Sequence, residues 1–243
     1  MFAQLQCATY TTATCLGVLA VAPFLWALPY LGASEAQVRK FYSGWMWALA
    51  RVLFGVRTVG AREARPCVYI MNHHSTLDFM LPATVLGGNA YEVVDANLFD
   101  RFPGTIGFAL RRIGCVVARN IRNGARVPGD RESVVDSGLR MLASGRSLVV
   151  FPEGRRVGGL GEFRTGGYEM ARRAGCPIQN VACINSRDYF PFAPGGAPHV
   201  VPQHAPLTFI FGPSALATGT DEAAAAASRT WFEAKLAPHA RMA

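Results

Sequence analysis

The sequence predicts an α/β domain, a mixed and mostly parallel sheet flanked by helices, carrying an N-terminal membrane-associated two-helix segment. Three observations lead there. From Cys67 onward, short apolar runs of strand length alternate with longer stretches of helical periodicity, the pattern of repeated strand–helix units. The chain has 243 residues, enough for one good-sized domain and an appendage. Residues 1–34 carry no charge at all, in a chain that is 51% hydrophobic and 16% charged.

Within the uncharged stretch, Thr14–Leu31 is apolar and about long enough to cross a bilayer core of ~30 Å, with Pro23 and Pro29 as kinks. A cleaved signal peptide needs a basic region ahead of its apolar core, and none is present. Arg39 and Lys40 follow. Phe41–Val56 then combines Trp45, Trp47, Leu49, Val52, Leu53 and Phe54 with Arg51, a composition suited to a helix lying in a membrane interface. Residues 1–56 therefore read as anchoring helices that dip into the bilayer or cross it once, and 57–243 as the α/β domain. If the anchor crosses, Arg39, Lys40, Arg51 and Arg57 place the domain on the cytoplasmic face of the inner (plasma) membrane.

Strands are expected at Cys67–Met71, Tyr91–Val94, Cys115–Ala118, Ser147–Phe151, Ile178–Ile184 and Leu207–Phe211. Helices are expected at Thr76–Leu86, Phe102–Arg112, Asp130–Ser144, Gly166–Ala174 and Asp221–Leu236. Asn120–Gly129 reads as a polar loop and Tyr189–Pro206 as a Pro-rich one.

Net charge is +8, and nearly all the basic residues are arginine. Arginine forks grip phosphate bidentately, so the excess suits phosphate-bearing ligands or anionic lipid. The basic residues are dispersed and the N-terminus is uncharged, which points away from nucleic acid. The six cysteines include no Cys-x-x-Cys pair and several sit in apolar runs, so they read as buried thiols of a reducing compartment, with neither a disulfide frame nor a metal site.

The residues richest in chemistry lie at Asn72-His73-His74-Ser75-Thr76-Leu77-Asp78, directly after the first strong strand. A carboxylate on one imidazole nitrogen fixes the tautomer and leaves the other free to accept a proton. His73 and Asp78 therefore outline a general-base dyad. Ser75-x-x-Asp78 equally fits a capping box, and His74 stands one helical turn from Asp78 as the alternative base. Arg119 closes a strand, where an α/β sheet presents side chains to a ligand crevice. Phe151-Pro152-Glu153-Gly154-Arg155-Arg156 closes another: proline stops the ladder, Gly154 permits a tight turn, and Glu153 can orient an arginine that clamps a phosphate. Cys67, inside an apolar strand, is a poor nucleophile, and no Gly-x-Ser-x-Gly elbow is present.

Taken together these segments resemble the glycerolipid acyltransferase family, whose type member is lysophosphatidic acid acyltransferase. Asn72-His73…Asp78 matches its Asn-His-x-x-x-x-Asp motif, Gly114 to Arg119 its Gly-x-x-x-x-Arg, and Phe151-Pro152-Glu153-Gly154 with Arg156 its Phe-Pro-Glu-Gly-Thr-Arg. Phe163-Arg164-Thr165-Gly166 resembles the basic segment that follows, and Cys176-Pro177-Ile178 the start of the fourth motif. Arg155 replaces the usual Thr, Asn180 the usual Pro, and Asp95-Ala96 falls where many members have Lys.

The resemblance implies that His73 deprotonates an acceptor hydroxyl while Asp78 holds the ring. The oxygen then attacks the thioester of acyl-CoA or acyl-carrier protein, with no metal, cofactor or acyl-enzyme. Arg119, Arg155 and Arg156 would hold the phosphate of a lysophospholipid acceptor, positioned by Glu153 and the Gly154 turn, at a membrane surface. The acceptor implied is 1-acylglycerol-3-phosphate. The three departures leave room for another, such as a lyso-ornithine lipid, and a non-catalytic module binding anionic lipid is the reading from a different class.

Overall fold

The computed structural model describes residues 9, 11–14, 16, 17, 20–75, 78, 82–97, 99, 106–119, 129–155, 159–189 and 205–242. The strands are β1 (Arg57–Val59), β2 (Val68–Met71), β3 (Ala90–Asp95), β4 (Val116–Ala118), β5 (Ser147–Val150), β6 (Pro177–Ile184) and β7 (Thr208–Leu216). The helices are α1 (Ala22–Tyr30), α2 (Glu35–Phe54), α3 (Pro82–Leu86), α4 (Ile106–Ile113), α5 (Asp130–Ala143), α6 (Gly166–Ala174), α7 (Ser186–Tyr189) and α8 (Asp221–Leu236).

Among the described residues the strands form one sheet in the order β1-β7-β6-β2-β5-β3-β4. Neighbours from β6 through β4 run parallel; β7 is antiparallel to β6, and β1 is parallel to β7. This is the mixed, mostly parallel α/β sheet the sequence predicts. β2 and β5, at its centre, are buried at every position, which is why both read as unbroken apolar runs.

Strand alternation divides the core into two layers. Tyr69, Met71, Val149, Val181 and Cys183 pack with Ala50 and Phe54 of α2 and Leu86 of α3 on one face. Val68, Ile70, Leu148, Val150, Ala182 and Ile184 face the other way, against α5, α6 and α8 through Val135, Tyr168, Met170 and Phe232.

α2 departs from expectation in a way that matters. It begins at Glu35 because Ser34 and Gln37 form a reciprocal capping box, and it ends where Gly55 takes φ +56°. Its inner face joins the core. Arg39, counted in sequence among the charges that would orient an anchor, is fully buried. Its guanidinium donates to the carbonyls of Ile113 (2.8 Å), Gly114 (3.0 Å) and Ala90, pairs with Glu92 at 3.0 Å and lies 3.9 Å above the Tyr91 ring. Residues read as an anchor are thus bolted to β3 and to the turn before β4. α1 is nine residues, about 13–14 Å long, and among the described residues no helix is long and apolar enough to cross a membrane.

β1 was not foreseen, and β7 is longer than expected. β1 is three exposed residues with no apolar alternation to betray it. β7 runs on past Phe211 to Leu216 despite Pro213. β1 covers β7 only at Thr208–Ile210, and the β6–β7 register shifts between Gln179 and Val181, so the proline stands where the ladder is already broken. The Asn120–Gly129 and Tyr189–Pro206 loops lie almost wholly outside the described residues, as do Cys7 and Cys15.

Candidate active site

The connection leaving β2 passes over β5 to reach β3, while the one leaving β5 passes over β2 to reach β6. Adjacent parallel strands whose connections diverge open a crevice beyond their carboxyl ends. His73 follows β2 and Phe151–Arg155 follow β5, so the residues singled out by sequence meet at this switch point. The His73 ring stacks on Phe151, centroids 4.4 Å apart and planes 29° from parallel.

Asp78 is fully buried. Its Oδ2 accepts the backbone N–H groups of His74 and Ser75, both at 2.6 Å, and faces His73 Nδ1 at 3.3 Å. Two backbone donors fix the carboxylate before the imidazole meets it. With Nδ1 turned to Asp78 that nitrogen carries the proton, leaving Nε2 as the acceptor. The side chain of His73 is 16% exposed, enough for a ligand to reach. The capping reading and the dyad reading describe the same oxygen: Asp78 ties the turn and orients the ring together.

Asn72 explains why the turn sits where it does. Its Oδ1 accepts the Cys183 N–H at 2.7 Å and its Nδ2 donates to the Cys183 carbonyl at 3.0 Å, joining the end of β2 to β6. The same Nδ2 lies 3.4 Å from His74 Nδ1. Burial lowers the pKa of His74, with Asp78 opposing. His74 is half-buried and offers Asp78 its backbone N–H, whereas His73 offers its ring.

Glu153 is buried, and among the described residues neither of its oxygens has a hydrogen-bond partner. Burial raises its pKa to about 7, opposed in part by the backbone amides of Glu153 itself and His73 and reinforced by the charge of Asp78. Gly154 has φ +63°, and a Cβ there would stand 2.7 Å from the Arg164 guanidinium. Glycine is needed for both the turn and the close approach, and Arg164 joins the site behind it. Arg155 is exposed on the rim; Arg156 lies outside the described residues.

Arg119 ends β4, exposed, its N–H donating to Asp130 Oδ1 at 3.0 Å. β4 is three strands from β2, about 14 Å at normal spacing. Arg119 therefore shares the rim with the dyad without touching it. Gly114, at the other end of β4, takes φ +74°, and a Cβ there would press on Glu35 and Tyr91. Among the described residues no group of three or more His, Cys, Asp or Glu is placed to hold a metal. Burial raises the thiols of Cys67 to about 11 and Cys115 to about 12, so neither is a ready nucleophile. Sequence reasoning missed the Asn72 clamp and the Phe151 stack, because both are contacts between strands rather than spacings within one.

The chain resembles known proteins over the stretch that carries these residues. The chain is 28% identical over 185 residues to the human 1-acyl-sn-glycerol-3-phosphate acyltransferase beta, covering 73% of this chain and 64% of that protein. It is 27% identical over 128 residues to a chloroplastic 1-acyl-sn-glycerol-3-phosphate acyltransferase of Brassica napus, covering 52% of this chain and 35% of that one. The chain thus spans between about a third and two thirds of the length of these relatives. The crystal structure of the 1-acyl-sn-glycerophosphate (LPA) acyltransferase PlsC from Thermotoga maritima superposes with a TM-score of 0.75 over 99% of both chains at 16% identity, a likeness of fold. Residues 56–184 match the family described as Acyltransferase. That match covers more than half of the 243 residues and runs from the start of β1 to the end of β6, through every strand that carries the site, so the chain belongs to the acyltransferase family.

Proposed function

We propose that the protein is a membrane-associated O-acyltransferase that moves a fatty acyl group from acyl-CoA or acyl-carrier protein to the free hydroxyl of a lysophospholipid, 1-acylglycerol-3-phosphate giving phosphatidic acid. The observation that carries this reading is the contact of His73 Nδ1 with Asp78 Oδ2 at 3.3 Å, on a carboxylate already pinned by two backbone amides.

In the proposed reaction His73 Nε2 takes the hydroxyl proton as the acceptor oxygen attacks the thioester carbonyl carbon. The tetrahedral intermediate collapses with cleavage of the C–S bond. The imidazolium returns its proton to the departing thiolate, and Asp78 balances the positive charge in between. Arg155 and Arg156 follow β5, next to β2, and take the acceptor's phosphate from one side; Arg119 approaches from β4. An arginine side chain reaches about 7 Å, two extended residue lengths, so Arg119 meets the phosphate roughly midway across its ~14 Å gap. The scheme uses no metal and no acyl-enzyme.

Membrane association is supported by an apolar surface on the N-terminal helical segment. Leu16, Phe24, Trp26, Tyr30 and Leu31 are all at least half exposed, a cluster suited to the headgroup boundary. The extra guanidinium of Arg155, where the family carries Thr, favours keeping a second acceptor, such as a lyso-ornithine lipid, in the test. Purified full-length protein is offered a panel of lysolipids with acyl-CoA and with acyl-carrier protein. Acylation of 1-acylglycerol-3-phosphate above the other acceptors is expected. Failure to O-acylate any lysolipid with either donor refutes the proposal.

A further inference from the structure

Resting on the acyl-transfer reading, we propose that the groove between β4 and α5 holds the phosphorylated nucleotide of a CoA-type acyl donor. The groove has a volume of about 820 Å³ and is lined by Arg119, Asp130, Ser133, Ser137, Arg140 and Arg146. Three guanidiniums face one carboxylate, and that carboxylate already accepts the Arg119 N–H. Among the described residues neither Arg119 nor Arg140 is paired with a carboxylate; Arg140 donates only to Ser137 Oγ, at 2.9 Å. Arg146 lies 4.8 Å from the Tyr91 ring and forms a partly exposed ion pair with Glu35 at 3.6 Å. With Asp130 in the lining and Glu35 beside Arg146, the groove keeps a net positive charge through the unpaired guanidiniums of Arg119 and Arg140, a condition for binding a polyanion.

Its direction fits such a ligand. Ser133, Ser137, Arg140 and Ser144 recur every three or four residues and so share one face of α5. The helix has 14 residues, about 21 Å. Its first turn and Arg119 lie on the rim that carries the dyad, while Ser144 and Arg146 lie at the opposite edge of the sheet. The pantetheine arm of CoA runs about 14 bonds from sulfur to phosphate, the length of four to five extended residues, or ~15 Å. The lateral distance from β2 to β4 is ~14 Å. A thioester at His73 thus delivers the first phosphates to the mouth of the groove, past Arg119, whose guanidinium reaches toward the acceptor's phosphate. The nucleotide and its remaining phosphate continue down toward Arg140 and Arg146. The exposed Val117 and the half-buried Met141 supply an apolar wall for the base. A carrier protein ends its arm in one phosphate joined to a folded body, which leaves Arg140 and Arg146 without a role.

The test compares full-length wild type, Arg140→Ala, Arg140→Glu and Arg140→Lys with three donors: acyl-CoA, the same acyl group on 4′-phosphopantetheine, and acyl-carrier protein. Binding of adenosine 3′,5′-bisphosphate is measured separately by calorimetry. Among the described residues the side chain of Arg140 has one hydrogen bond, to Ser137, and no ion pair, so its replacement is expected to leave the fold intact, and thermal melts check this. The expected result is that wild type binds the bisphosphate and that Arg140→Ala raises KM for acyl-CoA about ten- to a hundredfold, one lost charge-assisted contact. Arg140→Glu is expected to raise it further and Arg140→Lys to restore part of it, with KM for acyl-phosphopantetheine unmoved. Equal KM values for acyl-CoA in wild type and Arg140→Glu, failure of the bisphosphate to bind wild type, or turnover confined to acyl-carrier protein overturns the proposal. If the bisphosphate binds wild type and not Arg140→Glu while no lysolipid is acylated, the groove stands and the acyl-transfer reading falls.

Discussion

Replacing Glu153 by Gln tests whether a buried, unpaired carboxyl stands beside the dyad. Its pKa is lifted from the ordinary 4.5 to about 7, chiefly by burial. A carboxyl whose folded pKa lies above its unfolded value makes the native state bind more protons in between. The stability it permits is complete below about pH 4.5 and is lost as pH rises through about 7. At 1.36 kcal/mol per unit, that loss is roughly 3 kcal/mol. Gln keeps the shape and cannot ionise. Denaturant unfolding of both proteins at pH 4.5 and pH 8 isolates the effect, since contributions common to both cancel in the difference. The gap should move in favour of Glu153→Gln by roughly 3 kcal/mol between the two pH values. Parallel pH–stability curves would mean that Glu153 is solvated or paired and that the argument from its unpartnered oxygens is wrong. In catalysis the same group titrates beside His73, so a step near pH 7 in kcat/KM that disappears in Glu153→Gln would assign that step to Glu153.

Four further predictions follow from the packing. His73→Ala should lose about 10²–10⁴-fold in kcat while keeping donor and acceptor binding and its stability within about 1–2 kcal/mol; an active, folded His73→Ala ends the proposed mechanism. Asp78→Asn should lose both turnover and about 2–3 kcal/mol, because the same oxygen serves the ring and two backbone amides; unchanged stability would argue that the turn does not depend on it. Arg39→Met should cost about 3–5 kcal/mol by stranding Glu92, and adding Glu92→Met should recover much of that; a double variant no better than the single would show that Arg39 acts through its carbonyl contacts instead. Full-length protein should pellet with membranes and resist a high-salt wash, since apolar burial is not screened, and removal by salt alone would point to purely electrostatic attachment.

Much of the arrangement is local and so is written in the chain. The central strands announce themselves because both faces of β2 and β5 are buried, and α6 and α8 occupy the residues expected of them. His73, Asp78 and Glu153 could be singled out in the chain because their types and spacings suit the general base and phosphate clamp proposed above. What only the tertiary structure decided is where distant segments meet. Cys183 holds Asn72 from 111 residues away, Phe151 seats the His73 ring, and the guanidinium of Arg39 reaches three carbonyls on two segments. The same holds for α2. Its aromatic, basic composition suits a membrane interface, yet its inner face lies against β2 and β6, because burying Ala50 and Phe54 closes one layer of the core. Composition reports what a surface can tolerate; which surface is covered depends on the partner the fold brings to it, and no window of sequence contains that partner.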